Sequence, residues 1–402
     1  MLSPCKISAL EMINCLGSSR AVIESKLFSG QANDLSVQRI LRGQNEALVG
    51  AVTVKLSQVP AEFALFNSRL TQLLFALIQQ LQPEIERLRA TYAQDRIGIV
   101  LGSSTSGIGA AEEGYIVRHN TGSFPPEYHY HQQELGTVSG FLRCITGFNG
   151  PAYTVSTACS SSAKVLGSAR MLLDLGICDA VITGGVDSLC RLTAQGFNAL
   201  ELLTVSRSNP LSANRKGLNL GEGGALLILE RLAGGVQLLG IGEGSDAYHI
   251  SAPHPEGRGA ITAMRSALDR SEVATNSVKY INLHGTGTVM NDAMESVAVS
   301  SVFASELTST LIPCSSTKPF VGHLLGAAGA TEIGFCYAML MQPGRDKPLL
   351  PHLWDGVFDP LLPRLNPANV GDTVRIEAGD TVLSSSFAFG GSNCAVILGL
   401  AG

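Results

Sequence analysis

The chain has 402 residues, 45% of them hydrophobic and 15% charged, with 44 glycines and 17 prolines. That length is more than one small core serves, and the apolar fraction excludes a disordered or collagen-like chain. A formal charge of −5 leaves no overall electrostatic footprint for nucleic acid or an anionic membrane.

The N-terminal stretch MLSPCKISALEMINCLGSSR has no unbroken apolar region followed by a small-residue cleavage site, so no signal peptide is expected. Phe63–Tyr92 has helical periodicity and the length for one or two helices. Short apolar runs follow at Arg96–Ser103, Ala152–Ala158, Asp179–Asp187, Gly224–Leu229, Val278–Leu283 and Val382–Phe389. Runs of this length, rich in Val and Ile and apolar on both faces, predict buried strands of a sheet covered on both sides. Ser160–Leu175 and Gly257–Arg270 predict helices between them, so the class is α/β. The longest loops are expected at Asn120–Gln133 and Gln342–Asn369.

The stretch Ala233–Gly259 holds seven glycines and two prolines, which places a junction near its start and divides the chain into 1–235 and 236–402. Both parts repeat one grammar of strand, small-residue turn and helix, without a visible sequence repeat. No run of eighteen apolar residues occurs, which excludes an ordinary transmembrane helix. Nine cysteines, an odd number without CxxC pairs, predict a reducing, cytoplasmic setting.

Cys159, in TVSTACSSSAKVLGSARMLLDL, follows a buried strand and a small-residue turn and stands where a helix begins. A helix N-terminus lowers a thiol's pKa and offers backbone N–H groups to an oxyanion, the geometry of a nucleophile elbow. A small buried hydrophobe is the other reading of Cys159. His284 closes the strand VKYINLH before the turn HGTGT, and His323 lies in STKPFVGHLLGAAGA. Each alone reads equally as a core histidine, but α/β sheets place ligand sites at such strand ends. In SSSFAFGGSN, Phe387 and Phe389 alternate along a strand end and meet Gly390–Gly391. A core strand with a hairpin explains that segment by itself.

Taken together and in order, TVSTACSSSA, HGTGT, KPFVGHLLGAAGA and SFAFGGSN resemble the active-site segments of elongating β-ketoacyl-acyl-carrier-protein synthases, and the resemblance covers essentially the whole chain. It implies a thiolase fold: two similar halves in five layers, α-β-α-β-α, forming a dimer. It also implies an acyltransferase that condenses an acyl-enzyme thioester with malonyl-acyl carrier protein, losing CO2 and lengthening the chain by two carbons. Cys159 is then the nucleophile, with the N–H groups of Cys159 and Phe389 as oxyanion hole. His284 and His323 donate from Nε2 to the malonyl carbonyl, which calls for a second partner to fix each imidazole's proton.

By the same resemblance Lys318 and Glu332 form a supporting pair around the second histidine. Thr286 and Thr288 hold the pantetheine arm, Phe387 and Phe389 bind the substrate, Phe389 gates the acyl chain, and Asp292 and Glu295 are structural. Glu295, Glu332 and Asn282 could hold a monovalent cation; no other metal or cofactor is implied, since phosphopantetheine arrives on the carrier protein. The partners implied are acyl carrier protein, docking on a basic patch, and a second subunit, either another copy of the chain or a chain-length-factor-like homologue. Neither nucleic acid nor membrane insertion is implied. The Cys–His–His set distinguishes the chain from thiolases, which carry a second cysteine, and from chain-length factors, which lack the nucleophile.

His129 and His131 in EYHYHQQE, with Glu134 near, have no third ligand at a useful spacing. They read as loop histidines near the dimer surface. Two segments depart from the family. Ala388 stands where glycine is usual between the phenylalanines, which predicts a more restricted gate. Lys216 in NPLSANRKGLNLGEGG stands where an acidic residue is common, which puts the pairing of that loop in doubt. These departures resemble the ketosynthases of aryl polyene pathways, which work as heterodimers with a chain-length factor; fatty-acid elongation and other polyketide pathways stay open beside that reading. A catalytically silent partner subunit of the same fold is the alternative, and degradative thiolysis a more distant one.

Overall fold

The computed structural model describes residues 4–41, 43, 45–303 and 311–401. The predicted apolar runs are strands: Ile97–Gly102, Ala152–Val155, Ala180–Asp187, Gly223–Glu230, Val278–Asn282 and Thr381–Ala388. The predicted helices are Ser161–Asp174 and Arg258–Ser271. Phe63–Tyr92 divides into the end of a short 3-10 turn and two helices, Arg69–Gln80 and Gln82–Thr91. Ser68 starts the first of these through a reciprocal capping pair with Thr71, and Pro83 lies in the first turn of the second.

Eleven strands form one mixed sheet with two like parts. In the first, Ala152–Val155, Ile97–Gly102 and Ala180–Asp187 run parallel, then Gly223–Glu230 and Lys6–Ile13 follow antiparallel. In the second, Pro313–Ser315, Val278–Asn282 and Thr381–Ala388 run parallel, then Ser392–Ala401 and Gly235–Ser245 follow antiparallel. The two parts meet where Lys6 pairs with Gln237. The duplication is a match of strand order and sense, which identical side chains are not needed to produce.

Three apolar cores lie between five layers. Helices Arg69–Gln80 and Thr137–Thr146 cover one outer face, and Arg258–Ser271 and Val289–Phe303 the other. Ser161–Asp174 and Ala328–Met341 form the middle layer. The latter is buried at every residue up to Leu340, so it is covered on all sides rather than amphipathic. A Cβ on Gly329 would lie 2.8 Å from Cβ of Ala163, so the small residues of GAAGA let the two middle helices touch. This arrangement is the thiolase fold.

The glycine-rich stretch read as a junction contains an eleven-residue strand, Gly235–Ser245. Its alternate glycines face the helix Arg258–Ser271: a Cβ on Gly240, Gly242 or Gly244 would stand 2.4, 1.9 or 2.3 Å from a helix carbonyl oxygen. Glycine at period two marks close helix-on-sheet packing here. Among the described residues no helix is long and apolar enough to cross a membrane.

Candidate active site

Cys159 sits between the strand Ala152–Val155 and the helix Ser161–Asp174, in a turn that Ala158 makes by adopting φ +52°. Hydroxyls hold the turn: Ser161 Oγ accepts from Thr157 N–H at 2.9 Å and donates to Ala158 O at 2.6 Å. The left-handed Ala158 just ahead of Cys159 gives this strand-to-helix turn the form of an elbow. Cys159 is 6% exposed. Burial pushes its thiol up to about 12, against the opposing pull of the Lys318 charge and of the Phe389 N–H. The expected lowering of the thiol by a helix terminus is therefore corrected. Cys159 stands two residues ahead of the helix, and desolvation dominates.

Sγ of Cys159 lies 3.0 Å from Nε2 of His323. Segment Asn219–Gly221 grips the backbone of that histidine from both sides: His323 N–H donates to Asn219 O at 2.7 Å, and Gly221 N–H to His323 O at 2.9 Å. Its Nδ1 is buried without a hydrogen-bond partner among the described residues. His284 stands beside it, the two rings 5.3 Å apart and nearly perpendicular. Burial, and then the Lys318 charge, hold both histidines well below 6.5, so both imidazoles are neutral.

Lys318 is buried, with Nζ 2.5 Å from Glu332 Oε1, 2.5 Å from His284 O and 3.3 Å from His284 Nδ1. The pair Lys318–Glu332 was expected around the second histidine; it serves the first. An ammonium has only donors, so Nδ1 of His284 accepts and its proton resides on Nε2. Glu295 fixes the same turn by accepting from the N–H groups of His284 and Gly285, each at 2.7 Å. Asp292 accepts from Gly287 N–H at 3.1 Å and Leu211 N–H at 2.9 Å. Thr286 and Thr288 pair their hydroxyls at 2.9 Å.

One cavity is lined by Cys159, both histidines, both threonines, Phe387, Ala388 and Phe389. Phe389 stacks on Phe197, 5.3 Å between centroids, and Phe197 meets His323 edge-on at 6.3 Å. Phe197, on helix Arg191–Ala199, had no motif to mark it, and Asn219 lies in NPLSANRKGLNLGEGG without having been singled out. Ala388 is extended, with φ −117° and ψ 157°, and the left-handed positions fall on Gly390 and Gly391. Ala388 joins the cavity lining without backbone strain.

Lys216 is exposed, and the pairing of its loop passes through its neighbours. Ser212 Oγ donates to Asp355 at 2.8 Å and Arg215 to Asp359 at 2.5 Å. Of the residues weighed for a cation, Glu295 uses both oxygens on N–H groups and Asn282 accepts weakly from Ser384. Glu332 Oε2 alone is a buried oxygen without a partner, which does not make a cation cage. His129 and His131 flank and lie in a 3-10 turn, Tyr130–Gln133, and His131 pairs with Glu134 at 2.6 Å. Among the described residues no three His, Cys, Asp or Glu gather to hold a metal.

Residues 56–234 match the N-terminal domain of beta-ketoacyl synthase, and 236–344 match its C-terminal domain. The chain is 33% identical to 3-oxoacyl-[acyl-carrier-protein] synthase 2 of Rhizobium meliloti, over 75% of this chain and 73% of that one. Among solved structures it is similar to the ketosynthase ApeO of Xenorhabdus doucetiae, in complex with its chain length factor ApeC. The identity is 39% and the TM-score 0.91, over 99% of this chain and 98% of that one. The ishigamide ketosynthase/chain length factor shares the fold at TM-score 0.85 and 24% identity, over the full length of both.

Proposed function

The chain belongs to the β-ketoacyl synthase family, and we propose that it acts as a 3-oxoacyl-[acyl-carrier-protein] synthase. The observation that carries this reading is the 3.0 Å contact of Cys159 Sγ with His323 Nε2, beside a His284 whose Nδ1 is held by Lys318. Residues 1–235 supply the nucleophile and 236–402 both histidines.

In the first half-reaction the Cys159 proton passes to His323 Nε2, and the sulfur attacks the thioester carbon of an acyl-carrier protein. The N–H groups of Cys159 and Phe389 hold the oxyanion. Collapse breaks the old C–S bond, and the departing carrier thiolate takes the proton from His323. Malonyl-carrier protein then enters, its arm along Thr286 and Thr288. His284 donates from Nε2 to the malonyl thioester carbonyl. His323 joins it, because the acyl-enzyme has no S–H and nothing pins its proton to Nδ1. Loss of CO2 leaves an enolate, whose carbon attacks the acyl-cysteine; the C–C bond forms and the Cys159 thiolate leaves. The carriers bring their own phosphopantetheine, so the reaction calls for no cofactor of the protein.

The likeness to ApeO at 39% identity over nearly the whole chain supports an aryl-polyene-type substrate and a chain-length-factor partner. All nine cysteines are free thiols, in keeping with a reducing cytoplasm. The test is conversion of acyl- and malonyl-carrier proteins to 3-oxoacyl-carrier protein and CO2 by the chain co-purified with its partner. Activity lost in Cys159→Ala supports the reading. Activity unchanged in Cys159→Ala overturns it in favour of a silent subunit beside an active partner.

A further inference from the structure

His352 is buried and lies on no motif of the site. Both of its ring nitrogens are committed. Nδ1 accepts from the Ser316 N–H at 3.0 Å, and Nε2 donates to Pro210 O at 3.0 Å. A carbonyl oxygen only accepts, so the proton is on Nε2, and burial keeps the ring neutral.

The two partners lead to different parts of the site. Ser316 donates from Oγ to Gly285 O at 2.6 Å, next to His284, and accepts there from the Lys318 N–H at 3.3 Å. Lys318 in turn holds Nδ1 of His284. On the other side, Pro210 precedes Leu211, whose N–H donates to Asp292 at 2.9 Å; the other oxygen of Asp292 accepts from Gly287, between Thr286 and Thr288. In the same loop the Gly217 N–H donates to Gly287 O at 3.0 Å.

We propose that His352 is a positioning residue with two separable duties. Its Nδ1 sets the Ser316–Lys318 segment that orients His284, and its Nε2 sets the Pro210–Gly217 loop that orients the threonine turn. The first duty bears on decarboxylation and the second on seating the carrier's arm. The proposal rests on the roles given above to His284, Thr286 and Thr288.

Amide side chains separate the two. In His352→Asn the amide oxygen takes the place of Nδ1 and the Pro210 bond is lost. In His352→Gln the amide nitrogen takes the place of Nε2 and the Ser316 bond is lost. The probe is malonyl-carrier protein, and the readouts are kcat and KM for its decarboxylation by the co-purified complex, with Tm alongside. A buried group left unpaired is expected to cost about tenfold in the step it serves. His352→Gln therefore lowers kcat about tenfold at unchanged KM, and His352→Asn raises KM about tenfold at unchanged kcat. A merely structural role lowers Tm and shifts both parameters alike in the two variants, which overturns the proposal, as does wild-type behaviour of both. A wild-type complex without decarboxylation overturns the underlying reading, and this inference with it.

Discussion

The ammonium of Lys318 bonds both the carbonyl oxygen and Nδ1 of His284, at 2.5 and 3.3 Å, while Nδ1 of His323 has no partner among the described residues. The two histidines that face one cavity are therefore unequal. His284 is fixed as an Nε2–H donor, and His323 is free to follow the protonation of Cys159.

That inequality predicts a split between half-reactions. His284→Ala should transfer the acyl group to Cys159 at close to the normal rate and stall at condensation. His323→Ala should slow the acyl transfer itself, by about a hundredfold for a lost proton acceptor. Rapid-quench measurement of each half-reaction checks this, and equal losses in both variants would count against it.

Removing the Lys318 ammonium frees the His284 tautomer and leaves Glu332 buried without its partner. Lys318→Met should lower condensation about a hundredfold and cost ~3–5 kcal/mol of stability. Adding Glu332→Gln should recover most of the stability and none of the rate. Recovery of both together would show that Lys318 acts through the fold alone.

Burial holds His284 and His323 well below 6.5. A folded state that binds protons less readily than the unfolded chain has that stability in full above pH 6.5 and loses it as pH falls further. Asp187, Asp292, Glu295 and Glu332 are shifted upward by burial and act in the opposite sense, so the comparison must be between variants. The Tm of His323→Asn should fall less steeply below pH 6.5 than that of the wild type. Parallel profiles would exclude a depressed His323.

Ala388 lines the cavity between Phe387 and Phe389. Ala388→Gly should widen the range of acyl chains accepted and lower stability by about 0.5–1 kcal/mol through backbone entropy. Competition between acyl-carrier proteins of different length reads the selectivity, and an unchanged preference would remove Ala388 from the gate.

Strand Gly235–Ser245 supplies a test of the fold. A Cβ on Gly242 meets Ala263 O at 1.9 Å, so Gly242→Ala should cost at least 1–3 kcal/mol. Gly390→Ala meets nothing within 4 Å and should cost only the ~1–2 kcal/mol of its positive φ, 77°. A Gly242→Ala Tm equal to that of the wild type would contradict the close packing.

The buried strands were legible because a strand covered on both faces needs an unbroken apolar run, as Ala180–Asp187 has. Strand Gly235–Ser245 was not, since its glycines serve a helix backbone that no local pattern announces. Cys159, His284 and His323 stood out through their small-residue turns, which must be written into the sequence for a substrate to approach. The partner of Lys318 did not, because only the folded chain decides which histidine the ammonium reaches. Asn219, Phe197 and His352 act across more than a hundred residues, on His323, Phe389 and Pro210, and nothing local announces those partners.

The most direct measurement is intact-protein mass spectrometry of the chain after mixing with an acyl-carrier protein, with and without the co-expressed partner. The account predicts a gain of one acyl group on this chain, abolished in Cys159→Ala. No gain in the presence of the partner, or a gain that survives Cys159→Ala, would contradict it.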